Sequence, residues 1–214
     1  MKPIRKQFDQ KLTSIQNDVL RMGALVEQSC CLAHQALFKH NLAVIDELKH
    51  QEQKIDRLYR QIETDCLQFM ALQSPVATDL RLIGTLMQMV RDLERIGDYA
   101  EDLTEFAVKL LPYDITQYSA TIENMLLATQ SMLAMGLASL TELDAEQGLN
   151  IKQRDDEVDS GYQQVYQKLS QVQTVQGSVE PLLLMMLTIR SIERMADHAT
   201  NIGRRVAYIV TGQR

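Results

Sequence analysis

Apolar side chains return every three or four residues along nearly the whole chain, the period of an amphipathic helix. Ile15, Val19, Met22, Val26, Cys30, Ala33 and Leu37 mark one stripe, in a segment expected from about Ile4 to Phe38. Leu48, Ile55, Leu58, Ile62, Cys66 and Phe69 mark a second, from near Asn41 to Leu72. Ser74-Pro75 reads as an N-cap followed by proline at the first helical position, and Leu111-Pro112 stops that third segment. Asp114 with Gln117, and Asp144 with Gln147, read as capping boxes opening a fourth and a fifth helix. The fifth is expected to reach Val175. Gln176-Gly177-Ser178 breaks the chain, and a sixth helix runs from Ser178 to about Ile209 with Pro181 in its first turn.

The pattern therefore predicts an all-α protein of six long helices. A thirty-residue helix spans roughly 45 Å, and long helices with short connections fold back as antiparallel neighbours. The organisation is also a repeat. Arg91, Glu94, Arg95, Asp98 and Ala100 recur as Arg190, Glu193, Arg194, Asp197 and Ala199, 99 positions on. Glu52 and Asp56, with Tyr59 behind them, recur as Asp155, Asp159 and Tyr162. Two motifs in the same order in each half argue for duplication of a three-helix unit. The expected units are residues 1–112 and 113–214.

Composition supports this reading. Glycine and proline number 9 and 4, tryptophan is absent and methionine reaches 11, the usage of a helical chain. With 214 residues and 45% hydrophobic content there is enough apolar surface for a sizeable core. The net charge of −6 argues against coating nucleic acid, which calls for clustered Lys and Arg. Cys30, Cys31 and Cys66 form no CxxC and are an odd number, consistent with reduced core thiols in a cytoplasmic protein. MKPIRKQFDQKL has no apolar h-region, and no run of about eighteen apolar residues exists, so neither a signal peptide nor a membrane insertion is expected.

The candidate chemistry lies in the acids. Positions i and i+4 share a helix face, so Glu94, Asp98 and Asp102 form a ladder of carboxylates on a helix that is otherwise strongly apolar. Glu193 and Asp197 repeat it. Glu52/Asp56 and Asp155/Asp159 have the same pitch, and two such helices facing each other make an oxygen-rich cage for a hard cation such as Mg²⁺, Mn²⁺, Ca²⁺ or an iron ion. Zinc is disfavoured for want of Cys/His spacing. The competing reading is an ion-pair network with Arg57, Arg91, Arg95 and their second-half counterparts. Glu47-x-x-His50 matches half of a di-iron signature that such sites need twice, and it occurs once. His198 reads more readily as a capped or solvent-facing imidazole than as a ligand, and Met87, Met89, Met185, Met186 and Met195 as core filling. No nucleotide loop and no Ser-His-Asp or Cys-His constellation stands out, so no enzyme is predicted.

Ala71-Leu-Gln-Ser-Pro-Val-Ala-Thr-Asp-Leu-Arg, Asp92-Leu-Glu-Arg-Ile-Gly-Asp and Met22-Gly-Ala-Leu-Val-Glu resemble the PhoU family, and Ile192-Glu-Arg-Met-Ala-Asp-His-Ala-Thr-Asn-Ile-Gly is similar to its second-half motif. The resemblance covers essentially the whole chain. It implies tandem three-helix bundles with metal ions, iron in some members and Mg or Mn in others, at Glu94, Asp98, Glu193 and Asp197, then at Glu52, Asp56, Asp155 and Asp159. It implies a cytoplasmic, homodimeric negative regulator of phosphate uptake and phosphate-starvation signalling. Its partners would be the ATPase subunit of a phosphate ABC transporter and a phosphate-sensing histidine kinase. The alternative is a metal-binding bundle of di-iron type, an oxidoreductase or a metal store. Tyr99 and Ala196 depart from the family pattern, which commonly has His and Gly there.

Overall fold

The apolar stripes become the contact faces of six α-helices in a computed structural model that describes residues 2–174 and 177–213, with side chains from Lys6 onward. In chain order they are α1 (Lys2–Lys39), α2 (Ile45–Gln73), α3 (Ala77–Leu110), α4 (Thr116–Glu142), α5 (Ala145–Ser170) and α6 (Glu180–Thr211). A 3₁₀ turn at Leu42–Val44 joins the first two. Among the described residues there is no strand.

Helices α1, α2 and α3 pack on one another, as do α4, α5 and α6. The units meet along α3 against α6 and, over a smaller area, α1 against α4. This gives α3 and α6 buried side chains on several faces: Leu86, Met89, Val90, Leu93 and Ile96 on one, Ile189, Ile192, Met195 and Ile202 on the other. Each such side chain contributes ~1.5–3 kcal/mol by leaving water. The buried residues of both units form one continuous core cluster. Met89, Met185 and Met195 are in it, as expected for gap-filling thioethers. Cys30 and Cys66 are buried and Cys31 is exposed; burial pushes the Cys66 thiol up to about 12, leaving it inert.

Helix ends follow the sequence unevenly. Asp144 caps α5, its Oδ1 accepting from the amides of Glu146 and Gln147 at 2.9 and 3.0 Å. Pro181 lies in the first turn of α6. Ser74, by contrast, does not cap α3. It closes α2 in the left-handed region (φ 46°), and its amide donates to the Met70 carbonyl. Pro75 then stands outside α3, which begins at Ala77. Asp114 makes a turn instead of a cap, its Oδ1 accepting from the Thr116 amide and hydroxyl. α5 ends at Ser170; the expected end at Val175, and Gln176 of the break, lie outside the described residues.

Candidate functional site

Each half presents an acidic face where its second and third helices meet. In the first half, Glu52 and Asp56 of α2 stand across from Glu94 and Asp98 of α3. Burial pushes the Glu52 carboxyl up, and the charges of Asp56, Glu101, Asp98 and Glu94 push it further. Glu94 is raised by burial and by Asp98, with Arg95 pulling it back. Asp98 is raised by burial, opposed by Arg95 and reinforced by Asp56. Five carboxylates thus share one field. Their mutual repulsion favours nearby positive charge, and Arg95 supplies part of it.

The fifth carboxylate, Glu101, did not stand out in the sequence. It is raised by burial and by Glu105, and it also feels Asp98. Glu94, Asp98 and Glu101 step by four and three and form the stripe that faces α2. Asp102, expected in that ladder, is exposed and feels Glu105 and Asp98. The signal for Glu101 was its i+7 spacing from Glu94.

The second half repeats the arrangement with fewer acids. Burial raises Glu193, Asp197 adds to it, and Asp159 across on α5 contributes. Asp159 is raised by burial and by Asp155. Asp155 is 6% exposed, and its Oδ2 lies 2.6 Å from Lys152 Nζ. Thr200 stands where the first half has Glu101; it is buried, and its Oγ1 has no hydrogen-bond partner among the described residues.

The present rotamers favour internal ion pairs. Arg95 lies 3.1 Å from Asp98 and 3.6 Å from Glu94; Arg190 lies 2.9 Å from Glu193 and Arg194 3.4 Å from Asp197. Among the described residues no three Asp, Glu, His or Cys side chains converge as a ligand group. The donor type and helix placement suit a hard cation, while the arginines occupy the oxygens such an ion would use. Glu47 and His50 are exposed, Glu47 accepting from Gln28 Nε2, so the half di-iron signature joins neither face.

Two polar clusters bridge the halves. Asp92, 4% exposed on α3, accepts from His198 Nδ1 at 2.9 Å and from Arg205 Nε at 2.6 Å, both on α6. Arg205 also donates to Gln88. His198 is therefore neither a helix cap nor a solvent-facing ring. At the repeat-related positions stand Ser191, Tyr99 and Phe106, so this network exists once. His34 of α1 meets Glu123 of α4 at 2.8 Å, an acid partner supplied by the other half of the chain.

Fold and site together define an all-helical tandem of three-helix units with a matching acidic face in each. The PhoU domain model matches the chain twice, over residues 19–107 and 122–206. The chain belongs to the PhoU family. It is 51% identical over 212 residues, covering 99% of this chain and 95% of the relative, to the phosphate-specific transport system accessory protein PhoU homolog of Synechocystis sp.. It is 28% identical to the phosphate-specific transport system accessory protein PhoU of Escherichia coli, over 99% of this chain and 88% of that one. The crystal structure of PhoU from Pseudomonas aeruginosa superposes with a TM-score of 0.89 at 28% identity, over 96% of this chain and 100% of that chain.

Proposed function

We propose that the chain is an accessory regulator of a phosphate-specific transport system, acting by contact and not by catalysis. In this reading it restrains high-affinity phosphate uptake and phosphate-starvation signalling. It does so by binding the ATPase subunit of a phosphate ABC transporter and a sensor histidine kinase at the cytoplasmic side. The observation that carries the proposal is the match along the whole chain, 51% over 212 residues, to a protein named for that transport system. No helix of the described residues is long and apolar enough to cross a membrane, which suits a protein that reaches the membrane through partners.

The proposal includes metal. Glu52, Asp56, Glu94, Asp98 and Glu101 would hold an Mg, Mn or iron ion in the first half, and Asp155, Asp159, Glu193 and Asp197 in the second. Bound cations would relieve the repulsion that raises these carboxyls, after Arg95, Arg190 and Arg194 swing away.

The test is co-purification of the full chain with the ATPase subunit and with the cytoplasmic part of the kinase from the same genome, with and without chelator. Retention of at least one partner is expected, weakened by Glu94→Gln/Asp98→Asn. Failure to retain either partner, with or without metal, overturns the proposal.

A further inference from the structure

Helices α3 and α6 run antiparallel: Asp92 meets His198 and Arg205, Tyr113 meets Glu180, and Arg81 lies beside Gly212. Beside α6, where its carboxyl-terminal turns pass α3, lies a cavity of about 700 Å³ lined by Asn201, Arg204, Arg205, Tyr208, Thr211 and Gln88, among others. A second, of about 360 Å³, adjoins it through Gln88 and Tyr208 and is lined by Arg81. No Asp or Glu lines either one. That is a local reversal of sign in a chain of net charge −6.

The three guanidiniums are not equally committed. Arg205 is held by Asp92 and Gln88. Arg204 is exposed and makes no ion pair among the described residues. Arg81 donates one Nη to Thr78, while its buried Nε has no acceptor. A buried donor without an acceptor costs ~1–3 kcal/mol, and an anion in the groove removes that cost. The amino end of α3 and the carboxyl end of α6 lie together here, so their dipoles oppose each other and the guanidiniums set the sign.

The duplication supplies a control within the molecule. At the repeat-related positions, Arg81, Arg204 and Asn201 are replaced by Glu180, Glu105 and Asp102, and Gln88 by Leu187. The same helical frame therefore carries an acidic face at one end of the α3–α6 pair and a basic cleft at the other. Packing does not require the basic version, because its counterpart packs without it.

We infer that the Arg81–Arg204–Arg205 cleft binds a phosphoryl group, as free orthophosphate or as the phosphate end of a nucleotide. Guanidiniums match phosphoryl oxygens geometrically, and the amide side chains of Asn201, Gln88 and Gln213, which line the cleft, supply the further donors that a tetrahedral anion with several oxygens needs. The volume lies in the range of small-molecule sites. The inference stands apart from the acidic faces and from the transport-system proposal.

The test is isothermal titration of the metal-free full chain with orthophosphate and, separately, with ATP in a phosphate-free buffer. Saturable binding of one or both is expected. Arg81→Gln/Arg204→Gln should weaken it at least tenfold without lowering the melting temperature, while Arg154→Gln, the loss of an exposed guanidinium on α5, leaves it within twofold. ATP binding at least tenfold tighter than orthophosphate assigns the cleft to a nucleotide; equal or tighter orthophosphate binding assigns it to the free ion. Absence of saturable binding of both, the outcome expected if an acidic protein surface occupies the cleft, overturns the inference. So does binding unaffected by the double variant.

Discussion

Asp92 is the buried acid in the polar contacts between the halves, and its burial sets their weight. Removing one partner of a buried ion pair costs ~3–5 kcal/mol because the remaining charge is stranded. Arg205 is 26% exposed, which places Asp92→Ala near the lower end, at about 3 kcal/mol. For a chain of this size that is a drop in Tm of roughly 6–12 °C. Ser191→Ala, at the repeat-related position, should change stability by less than about 0.5 kcal/mol, since Ser191 makes no side-chain hydrogen bond among the described residues. The acidic faces behave differently, because their raised carboxyls favour protonation in the folded state. Glu52, Glu94, Asp98, Glu101, Asp159 and Glu193 all shift upward. The folded protein then binds more protons than the unfolded one just above the ordinary carboxylate range, and stability falls as pH rises through it. The Arg95–Asp98 pair is too exposed to reverse this. Metal-free Glu94→Gln/Asp98→Asn should therefore melt above the wild type at neutral pH, with the gap closing as pH falls toward about 4. A gap that widens on acidification contradicts the assignment. Adding Mn²⁺ should raise the wild-type Tm, and raise that variant's Tm by less because only the second-half face is left intact.

At the scale of elements, two glycines make opposite predictions. A Cβ on Gly203 of α6 would stand 2.2 Å from the Gly148 carbonyl oxygen of α5, a backbone atom that cannot rotate aside. Gly203→Ala should separate the two helices and destabilise by ~3 kcal/mol, the upper end of overpacking costs. A Cβ on Gly84 of α3 would meet nothing within 4 Å. Gly84→Ala should stabilise by ~0.8 kcal/mol through helix propensity alone. Paired thermal melts check both signs. The same contrast explains what the sequence disclosed. Six helices were legible because each stripe repeats over many turns, and Asp144 because a cap is a local event. Ser74 and Asp114 misled because a residue that caps one helix can equally close the previous one or form a turn. The acidic faces were legible through i, i+4 spacing on α2, α3, α5 and α6. Asp92, His198 and Arg205 were not, because 106 and 113 positions separate the partners and only the packing of α3 on α6 brings them together.

For the whole molecule, the decisive feature is that the repeat units do not own separate cores. α3 and α6 each belong to their own unit and to the seam, and the buried side chains run without interruption from one unit to the other. Unfolding one half would expose the apolar faces that α3 or α6 gives the other, and would strand the Asp92 network at once. The free energy that couples the halves is therefore comparable with what stabilises either half. Differential scanning calorimetry of the full chain should show one endotherm whose van't Hoff enthalpy equals the calorimetric enthalpy, the mark of a single cooperative unit. Asp92→Ala acts on the seam and should lower that single transition without splitting it, since the apolar contacts along α3 and α6 remain. Two resolved transitions in the wild type would mean that the halves fold independently and that the seam is a contact between domains, not part of a core. With one transition, a cation bound at either acidic face or an anion bound in the cleft stabilises the whole molecule by mass action. Each ligand should then shift the same melting transition, which gives the two halves a common readout.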